Sequence, residues 1–212
     1  MKRIVFMLCV IVCSVMSASA ADKVEPAGPV PATAKALEAS VVTDGVRVVL
    51  ADGKIAAEIW PAKSVTGEGN ASESALYPDI PRGAFAGVIR FPSGAQDIRG
   101  QKIAAGTYTL RYALLPGDGN HMGVTPNPDF FLLVPVEADT DPATPMPYMR
   151  LVKASTKAAG TAHPASFSLA PAGKSSPSVE SNEQQYTVAT FDLTVGGKKT
   201  RVGLIVVGVA EQ

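Results

Sequence analysis

The sequence predicts an all-β protein, an antiparallel β-sandwich of roughly eight to ten strands. Three observations support this fold class. Short stretches of alternating apolar and polar residues recur from residue 41 onward, turns rich in Gly and Pro separate them, and no long amphipathic helix pattern interrupts them. No repeat unit of the kind that builds a propeller is present, which favours the sandwich. We expect residues 41–212 to form one domain.

The first twenty residues have the pattern of a secretory signal peptide. Lys2 and Arg3 precede an apolar run over residues 4–15, and the small residues Ala18 and Ala20 frame a site that a signal peptidase accepts. The run is shorter than the ~20 residues that span a bilayer. We therefore expect cleavage near Ala20, a periplasmic or secreted location, and no membrane span in the exported chain.

The composition of the exported chain excludes several classes of function. Both cysteines, Cys9 and Cys13, lie in the predicted signal peptide, so the exported chain has no disulfide or thiolate chemistry. The whole chain has 19 basic and 19 acidic residues, and loss of Lys2 and Arg3 makes the balance slightly acidic. Because clustered basic residues are absent, a nucleic-acid partner is not expected.

Residues 21–40 are expected to form a flexible, disordered tail. Pro26, Pro29 and Pro31 interrupt any regular element there, and the small residues between them offer little to bury.

The first strands of the domain are predicted over residues 46–59. Two alternating stretches flank Asp52-Gly53, a dipeptide that suits a tight hairpin turn, and Pro61 ends the second strand. A long loop over residues 64–82 and a strand over residues 85–91 follow.

The clearest strand lies within residues 103–114. One face carries Tyr108, Leu110, Tyr112 and Leu114, and the other face carries Thr107, Thr109, Arg111 and Ala113. After a turn-rich loop, residues 130–136 are apolar on both faces, which is typical of a central strand.

The remaining elements are shorter. Strands are predicted over residues 148–152 and 166–169, a loop over residues 170–181, and a final hairpin over residues 186–210 that turns at Gly196-Gly197.

The charges of Glu58, Arg90 and Arg111 are predicted to form a cross-strand set on one face of the sheet.

Two short motifs carry a resemblance to known proteins. The motifs are IAAGTYTL at residues 103–110, in which a glycine turn leads into an aromatic strand, and EIWP at residues 58–61. With these, the chain is similar to exported bacterial domain families of unknown function with a β-sandwich fold, over about a third of its length. The resemblance implies a fold and a compartment, and it assigns no catalytic residue.

One loop holds the strongest candidates for ligand binding. Residues 116–123 contain Asp118, Asn120 and His121, whose oxygen and nitrogen atoms suit a cation or a sugar. The distal Glu of a calcium loop is absent, however, and Asp and Asn in a glycine-rich connector also stabilise turns.

The second histidine, His163, is the other candidate ligand. If it met His121 near Asp118 or Asp129, a metal site or an acid–base pair would form, but no His-x-His or His-x-x-x-His spacing brings the two histidines together. Asp139 and Asp141 lie two residues apart on one predicted loop. Their carboxylates could share a hard cation, or they could form a solvated acidic turn.

The sequence therefore predicts an exported binding or accessory protein, not an enzyme and without a cofactor. Its partner would be an extracytoplasmic ligand or an envelope protein, recognised by the loops over residues 64–82, 116–128 and 170–181. Two alternatives are a metal-assisted hydrolase that uses His121 and His163, and a structural envelope protein that assembles through exposed strand edges.

Overall fold

The fold is given by a computed structural model that describes residues 20–66, 68–69, 75–115 and 127–210. A single α-helix, α1 (Tyr148–Ala159), lies among these residues, with two 3₁₀ helices at Ala32–Ser40 and Val136–Ala138. The strands are β1 (Lys23–Gly28), β2 (Gly45–Val49), β3 (Ile55–Pro61), β4 (Phe85–Phe91), β5 (Ala95–Gln96), β6 (Lys102–Ile103), β7 (Gly106–Leu114), β8 (Asp129–Pro135), β9 (Ser166–Ala170), β10 (Ser178–Ser181), β11 (Thr187–Val195) and β12 (Lys198–Val207).

Ten of the strands form one antiparallel sheet in the order β1-β2-β3-β4-β7-β8-β9-β12-β11-β10. This sheet curls into a nearly closed barrel, in which β1 approaches β10 at the seam. The predicted antiparallel β fold is confirmed, but the protein is mostly β and not all-β as predicted, because it contains α1. The strands belong to one curled sheet, whereas the prediction placed them in two facing sheets. Alternation along a strand defines its two faces, but it does not determine whether a sheet closes on itself.

The main apolar core lies on the inner faces of the strands. Its large, fully buried side chains include Trp60, Phe91, Tyr112, Phe131 and Phe167. The alternation predicted for β7 is confirmed, because Tyr108, Leu110, Tyr112 and Leu114 join this core while Ala113 packs on the opposite face. The only tryptophan is a core residue, and its indole Nε1 donates a hydrogen bond to the Gly28 carbonyl over 2.8 Å.

The prediction of a disordered tail over residues 21–40 is wrong. Strand β1 pairs with β2, and the 3₁₀ helix at Ala32–Ser40 buries Ala34 and Leu37 against the core. Pro26 is compatible with a strand here because β1 is at the edge of the sheet, where one row of backbone groups has no ladder partner.

The predicted strand over residues 148–152 is also wrong, because these residues begin α1. The helix buries Leu151, Ser155, Ala158 and Ala159 and ends at Gly160, which adopts a left-handed φ of 65°. It lies over β8, where Leu151 packs with outward-facing side chains of the sheet, namely Phe130, Leu132 and Val134. Both faces of β8 are therefore apolar for different reasons, because one faces the barrel interior and the other faces α1.

Two of the predicted loops contain ordered elements. Strand β10 lies inside the loop predicted over residues 170–181, and Tyr77 and Ile80 of the predicted loop over residues 64–82 are buried in the core. The final hairpin is confirmed as β11 and β12. In the part of the chain that the structure describes, no helix is long and apolar enough to cross a membrane.

Candidate functional site

A pocket of about 380 Å³ opens between the first turn of α1 and the end of β7. We call it the α1 pocket. Its walls are contributed by β7, by the chain leading into α1, by α1 itself and by the segment before β4. The lining residues are Arg82, Gly83, Tyr112, Ala113, Leu114, Pro145, Met146, Pro147, Tyr148 and Leu151. Most of these side chains are apolar. A concave apolar site of this size suits a small organic molecule.

A buried ion pair fixes the wall that leads into α1. Arg111 and Asp139 are each 1% exposed, and their side chains form a two-pronged contact with Nε to Oδ2 at 2.8 Å and Nη2 to Oδ1 at 2.6 Å. The same guanidinium donates to the carbonyl oxygens of Asp141, Thr144 and Gly83. One β7 side chain thus holds the segment before α1 and the segment before β4 at set positions.

The approach of these two segments requires glycine at residue 83. The Gly83 amide donates to the Tyr112 carbonyl at 2.7 Å, and the Met146 amide donates to the Gly83 carbonyl at 2.9 Å. Gly83 has a φ of +75°, and a Cβ atom there would lie 2.1 Å from the Met146 carbonyl oxygen. In this wall of the pocket, the backbones of Gly83 and Met146 are therefore in direct contact.

Tyr112 lines the pocket and belongs to a buried network centred on Asp129. Its hydroxyl donates to Asp129 Oδ1 at 2.5 Å, and the same carboxylate accepts the backbone amides of Leu76 and Tyr77. Burial, followed by the hydrogen bond to Asp129, holds the pKa of Tyr112 well above its usual range. Tyr112 therefore presents a neutral, protonated ring to the pocket.

The rim of the pocket carries exposed side chains of a different character. Arg82 is exposed and is the one charged residue among the described residues that line the pocket. Tyr148 is 45% exposed, and the adjacent Met149 is 75% exposed. The opening thus combines an apolar surface with a single positive charge.

Only one of the four residues predicted to bind a ligand, His163, is among the described residues. Asp118, Asn120 and His121 lie outside the described residues. His163 is exposed in the turn after α1, where its backbone exchanges hydrogen bonds with the Thr161 hydroxyl. Among the described residues, no group of three His, Cys, Asp or Glu side chains is arranged to hold a metal ion. A site that pairs His121 with His163 stays a prediction.

The two aspartates of the predicted acidic turn have separate roles. Asp139 forms the buried pair with Arg111, whereas the exposed Asp141 accepts backbone amides from Ala143 and Thr144. Hydrogen bonds, first among them the one from the Thr144 side chain, hold the pKa of Asp141 below its usual value. Both carboxylates stabilise the segment that leads into the pocket wall.

The predicted cross-strand charge set is present with one change of member. Glu58 is 3% exposed and pairs with Arg90 at 3.0 Å and with Arg47 at 2.8 Å. Arg111 lies on β7 but pairs with Asp139 instead, because α1 and its preceding segment cover that part of the sheet.

The α1 pocket was not predicted from the sequence, because residues 148–152 of α1 were predicted to form a strand. Two signals of the helix are present in the sequence: Pro147 directly before its first residue and Gly160 directly after its last. Leu151, Ser155 and Ala158 also recur at helical spacing.

Comparison with protein-family models, with curated proteins and with solved structures found no match to this chain.

Proposed function

We propose that this chain is an exported binding protein that holds a small, largely apolar molecule in the α1 pocket. The α1 pocket is the observation that carries this proposal. Its volume of about 380 Å³ falls within the range of small-molecule sites, and apolar side chains form most of its walls.

The rigidity of the walls supports the same function. The Arg111–Asp139 pair and the contact of Gly83 with Met146 fix two sides of the pocket without a ligand. A preformed site loses little conformational freedom when it binds, so more of the interaction free energy appears as affinity.

Export is supported by the first twenty residues and by where the fold begins. The signal-peptide pattern ends at Ala20, and β1 begins at Lys23. Cleavage after Ala20 would leave every described strand intact.

A neutral fluorescent probe tests ligand binding directly. We expect N-phenyl-1-naphthylamine to bind the purified protein, with increased fluorescence, since its two aromatic groups are apolar and uncharged. Ala113 is 2% exposed and lines the pocket, so the ring in Ala113→Phe would occupy the ligand volume. Probe affinity should fall about tenfold or more, which corresponds to about 1.4 kcal/mol of binding free energy.

Val134→Ala is the matched control. Val134 is in the same apolar cluster as Ala113 but does not line the pocket, so its loss should lower stability and leave probe affinity unchanged. Ala113→Leu provides a milder filling variant if Ala113→Phe does not fold. Absence of probe binding to the wild type, or equal binding to a folded filling variant, would overturn the proposed function.

A further inference from the structure

We propose that the ligand of the α1 pocket is an anionic amphiphile, a molecule with one apolar segment and one acidic head group. The apolar segment lies in the pocket, and the acidic group pairs with Arg82 at the rim. This inference rests on the proposed function and adds the chemical class of the ligand.

The charge of the pocket lining favours an acidic head group. Arg82 contributes a guanidinium group, and no acidic side chain is among the described residues that line the pocket. A neutral ligand gains at most an ordinary hydrogen bond from such a cation, whereas a carboxylate, sulfonate or phosphate can accept two parallel, charge-assisted hydrogen bonds from it.

Unlike Arg82, other arginines of the sheet are already paired with carboxylates. Arg111 pairs with Asp139, and both Arg47 and Arg90 pair with Glu58. Within the described ranges, Arg82 forms no ion pair with an acidic side chain. Its charge is available to an external anion.

Arg82 is also anchored next to a fixed point. The backbone of its neighbour Gly83 is hydrogen-bonded to the backbones of Tyr112 and Met146 and to the Arg111 guanidinium, so the Arg82 backbone has a set position at the rim. Only the Arg82 side chain therefore has to become ordered when its guanidinium pairs with a ligand.

The charge around the pocket acts in the same direction. Helix α1 carries Arg150, Lys153 and Lys157, and no acidic residue occurs along it. Arg150 also lines an adjacent recess that shares Pro145, Met146 and Pro147 with the pocket. The two carboxylates in that recess are occupied, Asp139 by Arg111 and Asp141 by backbone amides. The basic side chains of α1 thus also favour an anionic ligand.

A pair of ligands that differ only in the head group tests the inference. Octanoate and octan-1-ol have the same chain length, and at pH 7 only octanoate carries a charge. We expect octanoate to displace N-phenyl-1-naphthylamine at a concentration about three- to tenfold lower than octan-1-ol. Raising the salt from about 0.05 M to about 0.5 M should reduce this preference, because the ion pair at the rim is exposed to solvent.

Arg82→Gln should remove the preference for octanoate while octan-1-ol binds as before. Arg99→Gln is the matched control, since Arg99 lies in the turn between β5 and β6 and does not line the pocket. Equal displacement by the two ligands in the wild type, or a preference that persists in folded Arg82→Gln, would overturn the inference. Failure of the neutral probe to bind would instead overturn the proposed function itself.

Discussion

Asp129 shows how one residue organises an end of the barrel. Its carboxylate is fully buried, and it accepts hydrogen bonds from two backbone amides and from the Tyr112 hydroxyl. The Tyr77 backbone that it fixes carries a side chain whose hydroxyl donates to the Ala170 carbonyl at 2.6 Å and accepts the Gly203 amide at 2.9 Å. A buried charge on β8 is thus linked through Tyr77 to the junction of β9 and β12.

The buried tyrosines predict a loss of stability at alkaline pH. Burial raises the pKa values of Tyr77, Tyr108 and Tyr112. Above about pH 10, tyrosines of the unfolded chain lose their protons more readily than these three do in the folded protein. The folded state then binds more protons than the unfolded state, so the free energy of unfolding falls as the pH rises, with the largest contribution from Tyr112, up to about 1.4 kcal/mol per pH unit.

Tyr112→Phe isolates one of these contributions. At pH 8 we expect it to lower the free energy of unfolding by about 1–2 kcal/mol, because the hydrogen bond to Asp129 is lost. Urea unfolding at pH 8 and at about pH 11 should show the difference between wild type and variant shrinking as the pH rises. A difference that stays constant over this range would contradict the assignment of a raised Tyr112 pKa.

At the scale of elements, the patterns that could be predicted are those set by short-range chemistry. The hairpin at Asp52-Gly53 follows from turn geometry, and the strand β7 follows from strict alternation. Helix α1 was missed because its buried face includes Ser155, Ala158 and Ala159, which give a weak apolar signal, while Tyr148, Leu151 and Val152 suit a strand equally well. The long-range Arg111–Asp139 contact has no sequence signal, and the pocket depends on it.

The contact between α1 and β8 predicts a large effect at Leu151. This side chain is 1% exposed and packs with Phe130 and Leu132 of β8, so Leu151→Ala should lower the free energy of unfolding by about 2–5 kcal/mol. Met149→Ala is the control on the same helix. Met149 is 75% exposed, and its truncation should change stability by less than about 0.5 kcal/mol. Similar losses for the two variants in urea unfolding would show that α1 does not pack as described.

At the scale of the whole molecule, β9 explains why a sandwich and a closed sheet are hard to tell apart from sequence. Its first three residues pair with β8, and its last two pair with β12. This short strand joins two groups of strands that the sequence would equally allow to form two separate sheets. Its pattern, Ser-Phe-Ser-Leu-Ala, does not reveal that it has a different partner at each end.

Export is a prediction for the whole chain and is tested by the mass of the product. We expect the protein recovered from outside the cytoplasm to begin at Ala21, because the small residues before it form the predicted cleavage site. Intact-protein mass spectrometry of that fraction measures the N-terminus directly. Ala18→Leu should block processing, since a large side chain does not fit the small-residue pattern. Recovery of only the uncleaved chain from the wild type would argue against export by this route.

The strand order has a consequence for how the chain is completed during synthesis. Strands β1 to β4, β7 and β8 each pair with the next strand of this sheet along the sequence, so the strands from β1 to β9 can assemble as they emerge. Strand β12 is the last strand described, yet it lies between β9 and β11. A nascent chain interrupted before β12 would leave an open edge at β9 and a detached β10–β11 hairpin, both accessible to proteases and chaperones. The β9 edge and the β10–β11 hairpin therefore come together only after β12 has been synthesised and inserted between them.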